Sequence, residues 1–251
     1  MKELKLRGYV TPEDFEGTDG QRIQKALDLA KEADICKVVL RGEYNAEETI
    51  IIPAGIHLVL EGVKLYADLQ NKAVNNFSFE ADRIYIEGRG AEIVGNLYFW
   101  HTGHLVLENL KVEGNLRFAF ARYPRVEDVA LSGDFSMGRG CQHGIFQRIS
   151  CKSLLISAED QSEDIVGRYR AIKNIAFRDS EILEGASLIA AEDAELLNVQ
   201  LDHLTLKNKG ITVGKEGVEL PKEKYLNLTF DANTSPCEIN FLNEAFNAFV
   251  R

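Results

Sequence analysis

The sequence predicts an all-β solenoid, a single-stranded parallel β-helix of about eight or nine coils, and three observations predict it. The pattern apolar-x-apolar-acid-x-apolar-x-apolar occurs at residues 58–65, 105–112 and 199–206, with a looser copy at 175–182. Its first apolar pair can be followed through Val38, Leu58, Ile84, Leu105, Val129, Leu154, Ile175, Val199 and Leu228, at intervals of 20 to 29 residues. Asn174, Asn198 and Asn227 precede the first strand of the later copies in one register, as an amide ladder requires. A fixed period of this size belongs to a chain that stacks one structural unit on the next.

Each element has its own reason. Thr18-Asp-Gly-Gln21 is a capping-box pattern, and Ile23, Leu27 and Ala30 then share one face, so a helix over about 18–33 covers the open N-terminal end. Alternation at period 2 makes each repeated element a short strand with one buried face. Gly62, Asn109, Asp179 and His203 stand at the corners between paired strands, and all but the histidine tolerate a left-handed bend readily. A third strand per coil begins at Gly95, Gly114, His143, Asp164 and Gly210. Near the end, Ser235-Pro236 and Glu238 form an N-terminal helix signal, and Ile239, Leu242, Phe246 and Phe249 give a closing helix over about 236–250 its apolar stripe. With no linker between coils, residues 1–251 read as one domain.

Composition narrows the function classes. Of the 251 residues 45% are hydrophobic and 27% charged, the make-up of a globular chain rather than a disordered one. No apolar run approaches the ~18–20 residues that span a bilayer. The first ten residues hold no secretory apolar stretch, so the chain is expected to be cytoplasmic, or secreted if a leader has been removed. A net charge of −10 argues against nucleic acid and anionic lipid as partners. Cys36, Cys141, Cys151 and Cys237 lack metal or disulfide spacing and are expected to be buried thiols. Neither a metal site nor a cofactor is expected, since no phosphate loop, nucleophile elbow or His/Cys/Asp/Glu grouping is present. The oligomeric state is not readable.

The segment Phe15-Glu-Gly-Thr-Asp-Gly-Gln-Arg-Ile-Gln-Lys-Ala26, followed by Val38-Val-Leu-Arg-Gly-Glu-Tyr44 and Ile51-Ile-Pro-Ala-Gly-Ile-His-Leu-Val-Leu60, resembles the N-terminal cap and first coil of the pectin-lyase-like superfamily of right-handed β-helices. Within that superfamily it is similar to the glycoside hydrolase family 28 polygalacturonases. The resemblance implies a right-handed solenoid and a carbohydrate substrate. It also exposes departures. Gln142-His143-Gly144 stands where the family has Thr-Asp-Gly, and Glu163-Asp164 where it has paired aspartates. Glu184-Gly185-Ala186 replaces Gly-His-Gly, and Gly210-Ile-Thr-Val-Gly214 replaces Gly-Ile-Arg-Ile-Lys. The frame is kept and most catalytic side chains are not.

Inverting glycoside hydrolysis needs two carboxyls roughly 6.5–9.5 Å apart. The candidates are Asp164, at the position where the family keeps an aspartate, with Glu163 and Asp160 beside it; an acidic run at a solenoid corner is more often a solvated turn. His143 takes the place of a missing aspartate, where an imidazole can act as acid or base near neutral pH, although a histidine at a strand entrance is more often simply a polar residue; it is grouped with the substrate-binding residues. His57 and His104 fall in the position before a strand that the asparagines also hold, His203 falls at a corner, and all three read as structural. If Leu97, Phe99, Leu116, Phe118, Ile145 and Ile165 point inward, then Tyr98, Trp100, Arg117, Phe146, Arg148 and Arg168 point outward on the third-strand face. Aromatic planes suit sugar rings and guanidinium suits carboxylate, so this face is expected to bind an acidic, uronate-containing oligo- or polysaccharide. Two functions stand open: a catalytically degenerate β-helix that binds such a polymer, and an active polygalacturonase-type hydrolase using Asp164 and a neighbouring carboxylate. A cation-dependent lyase stands third, because acidic clusters suit a hard cation while no ligand set is specified.

Overall fold

Backbone hydrogen bonds in the computed structural model join segments far apart in the chain, and all pairings between its strands are parallel. The structure describes residues 7–71, 83–159, 170–231, 233, 239–242 and 248–250. Among them the strands form one continuous curled sheet, a pairing pattern consistent with a parallel β-helix. The strands fall into three rows, and along each row like positions of successive segments lie side by side.

In the first row Val38, Leu58, Ile86, Leu107, Val126, Phe146, Phe177, Leu201 and Phe230 are register partners, all buried. The offset between partners varies from 19 residues (Leu107 to Val126) to 31 (Phe146 to Phe177). In the second row Tyr44, Leu65, Ile93 and Val112 align in the same way. In the third row Leu69, Leu97, Leu116, Phe135, Leu154, Ala186 and Ile211 align, with Phe99, Phe118, Met137, Ile156, Leu188 and Val213 two residues on. The first and third rows meet in the core through aromatic rings: Phe146 lies 5.1 Å from Phe135 and 5.8 Å from Phe118, centroid to centroid.

Corners between the first and second rows are single left-handed residues: Gly62, Asn109, Asp128, Arg148, Asp179 and His203 have φ between 49° and 59°. Four of these are the corner residues expected from the repeat. A second left-handed line precedes the first row and runs through His104, Tyr123, His143, Asn174, Asn198 and Asn227. The three asparagines are bonded in series, Asn227 Nδ2 to Asn198 Oδ1 and Asn198 Nδ2 to Asn174 Oδ1, each at 2.8 Å.

The helix Asp19–Glu32 starts at a capping box in which Thr18 and Gln21 bond each other's backbone. It lays Ile23, Ala26, Leu27 and Ala30 against the strands Lys37–Asn45 and Ile50–Ile52. Among the described residues no helix is long and apolar enough to cross a membrane.

Several expectations are corrected. The closing helix is absent where the chain is described: Ile239–Phe241 and Ala248–Val250 are strands that pair with Ile211–Val213 and Leu228–Asp231. Ile239 and Phe241 are half-buried and Asn240 is exposed, so a two-residue alternation won over the helical stripe once an open sheet edge was there to pair with. Val129 lies in the second row, paired with Leu110 and Ile149, and Leu154 lies in the third, so neither continues the line begun by Val38. The His143 segment starts a first-row strand, since Ile145–Ser157 passes through all three rows. Its parity is also reversed: Phe146 is fully buried and Ile145 is 49% exposed, because Phe146 registers with Val126 and Phe177. His57 lies on its strand rather than ahead of it, stacked on Tyr85 at 4.3 Å. Cys141 and Cys151 are buried but Cys36 is exposed, and Cys237 lies outside the described residues.

The reversed parity is directly measurable. Phe146→Ala should cost about 3–5 kcal/mol in urea unfolding, and Ile145→Ala no more than about 0.5 kcal/mol. Equal losses would mean that the register is wrong.

Candidate functional site

The third row carries the candidate site, and its entry is fixed by a side-chain ladder. Asp68 Oδ1 accepts from Asn96 N at 2.7 Å, Asn96 Oδ1 from Asn115 N at 3.1 Å, and Asn115 Oδ1 from Asp134 N at 2.8 Å. Asn115 Nδ2 also donates to Asn96 Oδ1 at 3.0 Å, and Ser153 Oγ to Asp134 Oδ1 at 2.7 Å. The glycines ahead of these residues let neighbouring segments approach. A Cβ at Gly114 would lie 2.1 Å from the Gly95 carbonyl oxygen.

Beyond this entry the strands Leu97–Trp100 and Leu116–Ala119 pair residue for residue, with Tyr98 opposite Arg117 and Trp100 opposite Ala119. Alternation buries Leu97, Phe99, Leu116 and Phe118 and turns Tyr98, Trp100 and Arg117 outward. The Arg117 guanidinium carbon lies 5.5 Å from the Tyr98 ring centroid, a cation–π contact. Trp100 meets Tyr98 edge-on at 6.4 Å and His101 at 5.1 Å. His101 in turn stacks on Phe120 at 4.8 Å, both residues being left-handed where their strands end. Asn71 anchors the cluster: its Oδ1 accepts from Trp100 N at 2.8 Å and its Nδ2 donates to Trp100 O at 2.7 Å. The small Ala119 beside Trp100 leaves room for the indole, whose buried Nε1 has no hydrogen-bond partner.

The structure therefore brings together Tyr98, Trp100 and Arg117 and sets His143 and Arg148 apart from them. Asp160, Glu163, Asp164 and Arg168 lie outside the described residues, as does Ile165. His143 sits on the left-handed line ahead of the first row, stacked on Tyr123 at 4.9 Å. Burial, then the nearby Lys173 and Arg122, push its pKa below the ordinary value. Arg148 is a corner residue bonded to Asp128 through Nε (2.6 Å) and Nη2 (3.0 Å) and to Glu127. Those two carboxylates hold its charge even more firmly than usual, so it has little left to offer a ligand. Both residues were expected on the third-strand face because the segment 143–148 was placed in the wrong row.

His101, Phe120 and Asn71 were missed. The five-residue runs Leu97-Tyr-Phe-Trp-His101 and Leu116-Arg-Phe-Ala-Phe120 align in sequence, and that was the available signal; bulky residues at left-handed positions hid it. A shallow trough of about 600 Å³ follows the corner between the first and second rows, but its main charges pair with one another, Lys111 with Glu92 and Arg148 with Asp128. At the far end of the third row the buried Arg139 grips Asp193 with two bonds of 3.0 and 2.8 Å, and Arg170 adds a third at 2.6 Å. Those arginines, Arg139 foremost, hold the Asp193 carboxyl below the usual carboxylate range. Among the described residues no group of three or more His, Cys, Asp or Glu is arranged to hold a metal ion.

No family model matches the chain, and no curated protein does. Among solved structures it is similar to the Streptococcus pneumoniae surface protein and adhesin PfbA, with TM-score 0.44 and 9% identity over 97% of this chain and 100% of that one. It is also similar to the catalytic domain of a GH87 alpha-1,3-glucanase in complex with tetrasaccharides, with TM-score 0.32 and 11% identity over 96% of this chain and 67% of that one. A second structure of such a catalytic domain, in complex with nigerose, gives TM-score 0.29 at 11% identity over the same shares.

The entry ladder yields a prediction. Asn115→Ala removes one acceptor and one donor from an exposed line and should cost about 1 kcal/mol in urea unfolding, whereas Asn115→Asp, which keeps the acceptor for Asp134 N, should recover part of it. No loss in the alanine variant would show the ladder to be energetically idle.

Proposed function

We propose that the chain is a right-handed parallel β-helix that binds an oligo- or polysaccharide along the outward face of its third row and no longer turns it over. The handedness follows from the strong preference of parallel strand-to-strand crossovers for the right-handed sense. The observation that carries the binding reading is the Tyr98, Trp100, Arg117 cluster, a guanidinium over one ring with an indole beside it. An aromatic surface packs on the C–H face of a pyranose, and guanidinium pairs with carboxylate in two parallel hydrogen bonds, so a uronate-containing chain uses both.

The rest of the face supports this ligand class. Gln70, Ser136, Leu155, Ser187 and Thr212 occupy the same outward register as Tyr98 and Arg117. The hydroxyl and amide side chains among them suit sugar hydroxyls, and the exposed Leu155 adds an apolar surface between Ser136 and Ser187. The motif positions where polygalacturonases carry histidine, arginine and lysine, held here by other residues, favour binding over hydrolysis.

Calorimetric titration with oligogalacturonides and with neutral gluco-oligosaccharides tests the reading. The acidic oligomers should bind more tightly, and added salt should weaken them. Trp100→Ala and Arg117→Lys should each lower affinity about tenfold, or 1.4 kcal/mol, with melting temperatures checked in parallel, while Arg148→Ala should change nothing. Reducing ends and unsaturated products should stay at background; their appearance would restore a hydrolase or a lyase respectively. Equal binding by both variants and wild type would remove this face as the site.

A further inference from the structure

The asparagine ladder has a direction, and it ends on a titratable group. Asn227 donates to Asn198, Asn198 to Asn174, and Asn174 Nδ2 to His143 Nδ1 at 3.2 Å. His143 then stacks on Tyr123 (4.9 Å, 14°), and Tyr123 on His104 (4.9 Å, 10°). All six residues share the left-handed backbone, with φ from 35° to 58°, so their side chains leave the chain at equivalent points of successive segments.

An imidazole nitrogen that accepts a hydrogen bond carries no proton, so His143 in this arrangement is neutral with its hydrogen on Nε2. A primary amide presents an oxygen at one side and an NH₂ at the other. Within the line each amide therefore imposes its orientation on the next. Turning Asn174 alone would set its NH₂ against that of Asn198, and the same conflict would pass to Asn227.

We propose that protonation of His143 at Nδ1 reverses the whole ladder. The proton comes from solvent and turns Nδ1 from acceptor to donor. Asn174 must then offer Oδ1, and Asn198 and Asn227 turn with it. One proton would reverse three amides over three rungs, ~14 Å of solenoid at the ~4.8 Å strand spacing, and present Asn227 to whatever follows with donor and acceptor exchanged. The fold thus holds a two-state element that reads acidity at one end.

The groups that bias it are few. Lys173, next to Asn174, and Arg122, next to Tyr123, are the charged groups acting on His143 from the two flanking segments, and Tyr123 is the titratable ring packed on it. Partial burial, and after it the two cations, oppose a further positive charge and set the switching pH below the ordinary 6.5. Because the folded pKa is lowered, the stability contributed by neutral His143 is full above about 6.5 and is lost as the pH falls through the folded value.

Nitrogen-15 NMR of the whole chain between pH 8 and pH 4 tests this. At pH 8 His143 should show the Nε2–H tautomer. On acidification the side-chain amides of Asn174, Asn198 and Asn227 should shift with one common midpoint, that of His143. In Asn198→Ala the Asn174 amide should still titrate and that of Asn227 should not. In His143→Asn, which continues the amide line without a titratable end, the common midpoint should disappear, so the test stands even if the alanine variant does not fold. An Nδ1–H tautomer at pH 8 overturns the proposal. So do amides that ignore the His143 midpoint, an Asn227 response that survives Asn198→Ala, or a common midpoint that survives His143→Asn.

Discussion

Parallel pairing between distant segments is the constraint on which this molecule depends. A strand here has no hairpin partner, so its N–H and C=O groups are satisfied only by the segment one turn of chain away, and a one-residue slip would turn every buried side chain outward. The offsets vary from 19 to 31 residues, yet Leu107, Val126, Phe146 and Phe177 still fall in one line. The column of phenylalanines inside is the consequence: like positions stack, so large rings pack ring against ring at 5.1 to 5.9 Å.

The same constraint turns corners into lines. A left-handed residue at one corner must face a left-handed residue in the next segment, or the ladder would break. Glycine, asparagine and aspartate meet that demand at low cost, and at Gly62, Asn109, Asp128 and Asp179 they do. His104, Tyr123, His143 and Arg148 occupy the same kind of position at greater backbone cost. Each is offset by lateral contacts: ring stacking for His104, Tyr123 and His143, and bonds to Asp128 and Glu127 for Arg148. Where amides replace rings, stacking becomes directional hydrogen bonding, and a line of side chains acquires a polarity.

On the outer surface the stacking rule decides what kind of site is available. Charged residues one rung apart find one another, as Lys111 finds Glu92 and Arg41 finds Glu61, so much of the molecule's charge is spent in lateral pairs worth little individually. The third row differs. There the aligned outward residues are Gln70, Tyr98, Arg117 and Ser136, and the Arg117 cation rests over a ring. Two aromatic rings on one strand share this face with hydrogen-bonding groups on the neighbouring rungs, and the proposed recognition of an extended polymer rests on that arrangement.

From the sequence alone came the strand class, the corner residues Gly62, Asn109, Asp179 and His203, the amide ladder and the outward set Tyr98, Trp100 and Arg117, because each depends on local periodicity or on one residue's tolerance of a left-handed backbone. Row membership did not. Val129, Leu154 and the segment from His143 carry the same apolar alternation as the strands they were aligned with, and only the hydrogen bonds to neighbouring segments distinguish one row from another. That single ambiguity moved Arg148 and His143 off the expected face and reversed Ile145 and Phe146. The C-terminal segment was decided by tertiary context too: Ile239 and Phe249 belong to the expected helical stripe and equally fit a strand, and the open edge of Ile211–Val213 and Leu228–Asp231 selects the strand. His101 and Phe120 joined the candidate site for the same kind of reason, since two bulky residues at left-handed positions become a stacked pair only when the fold sets one segment on the next.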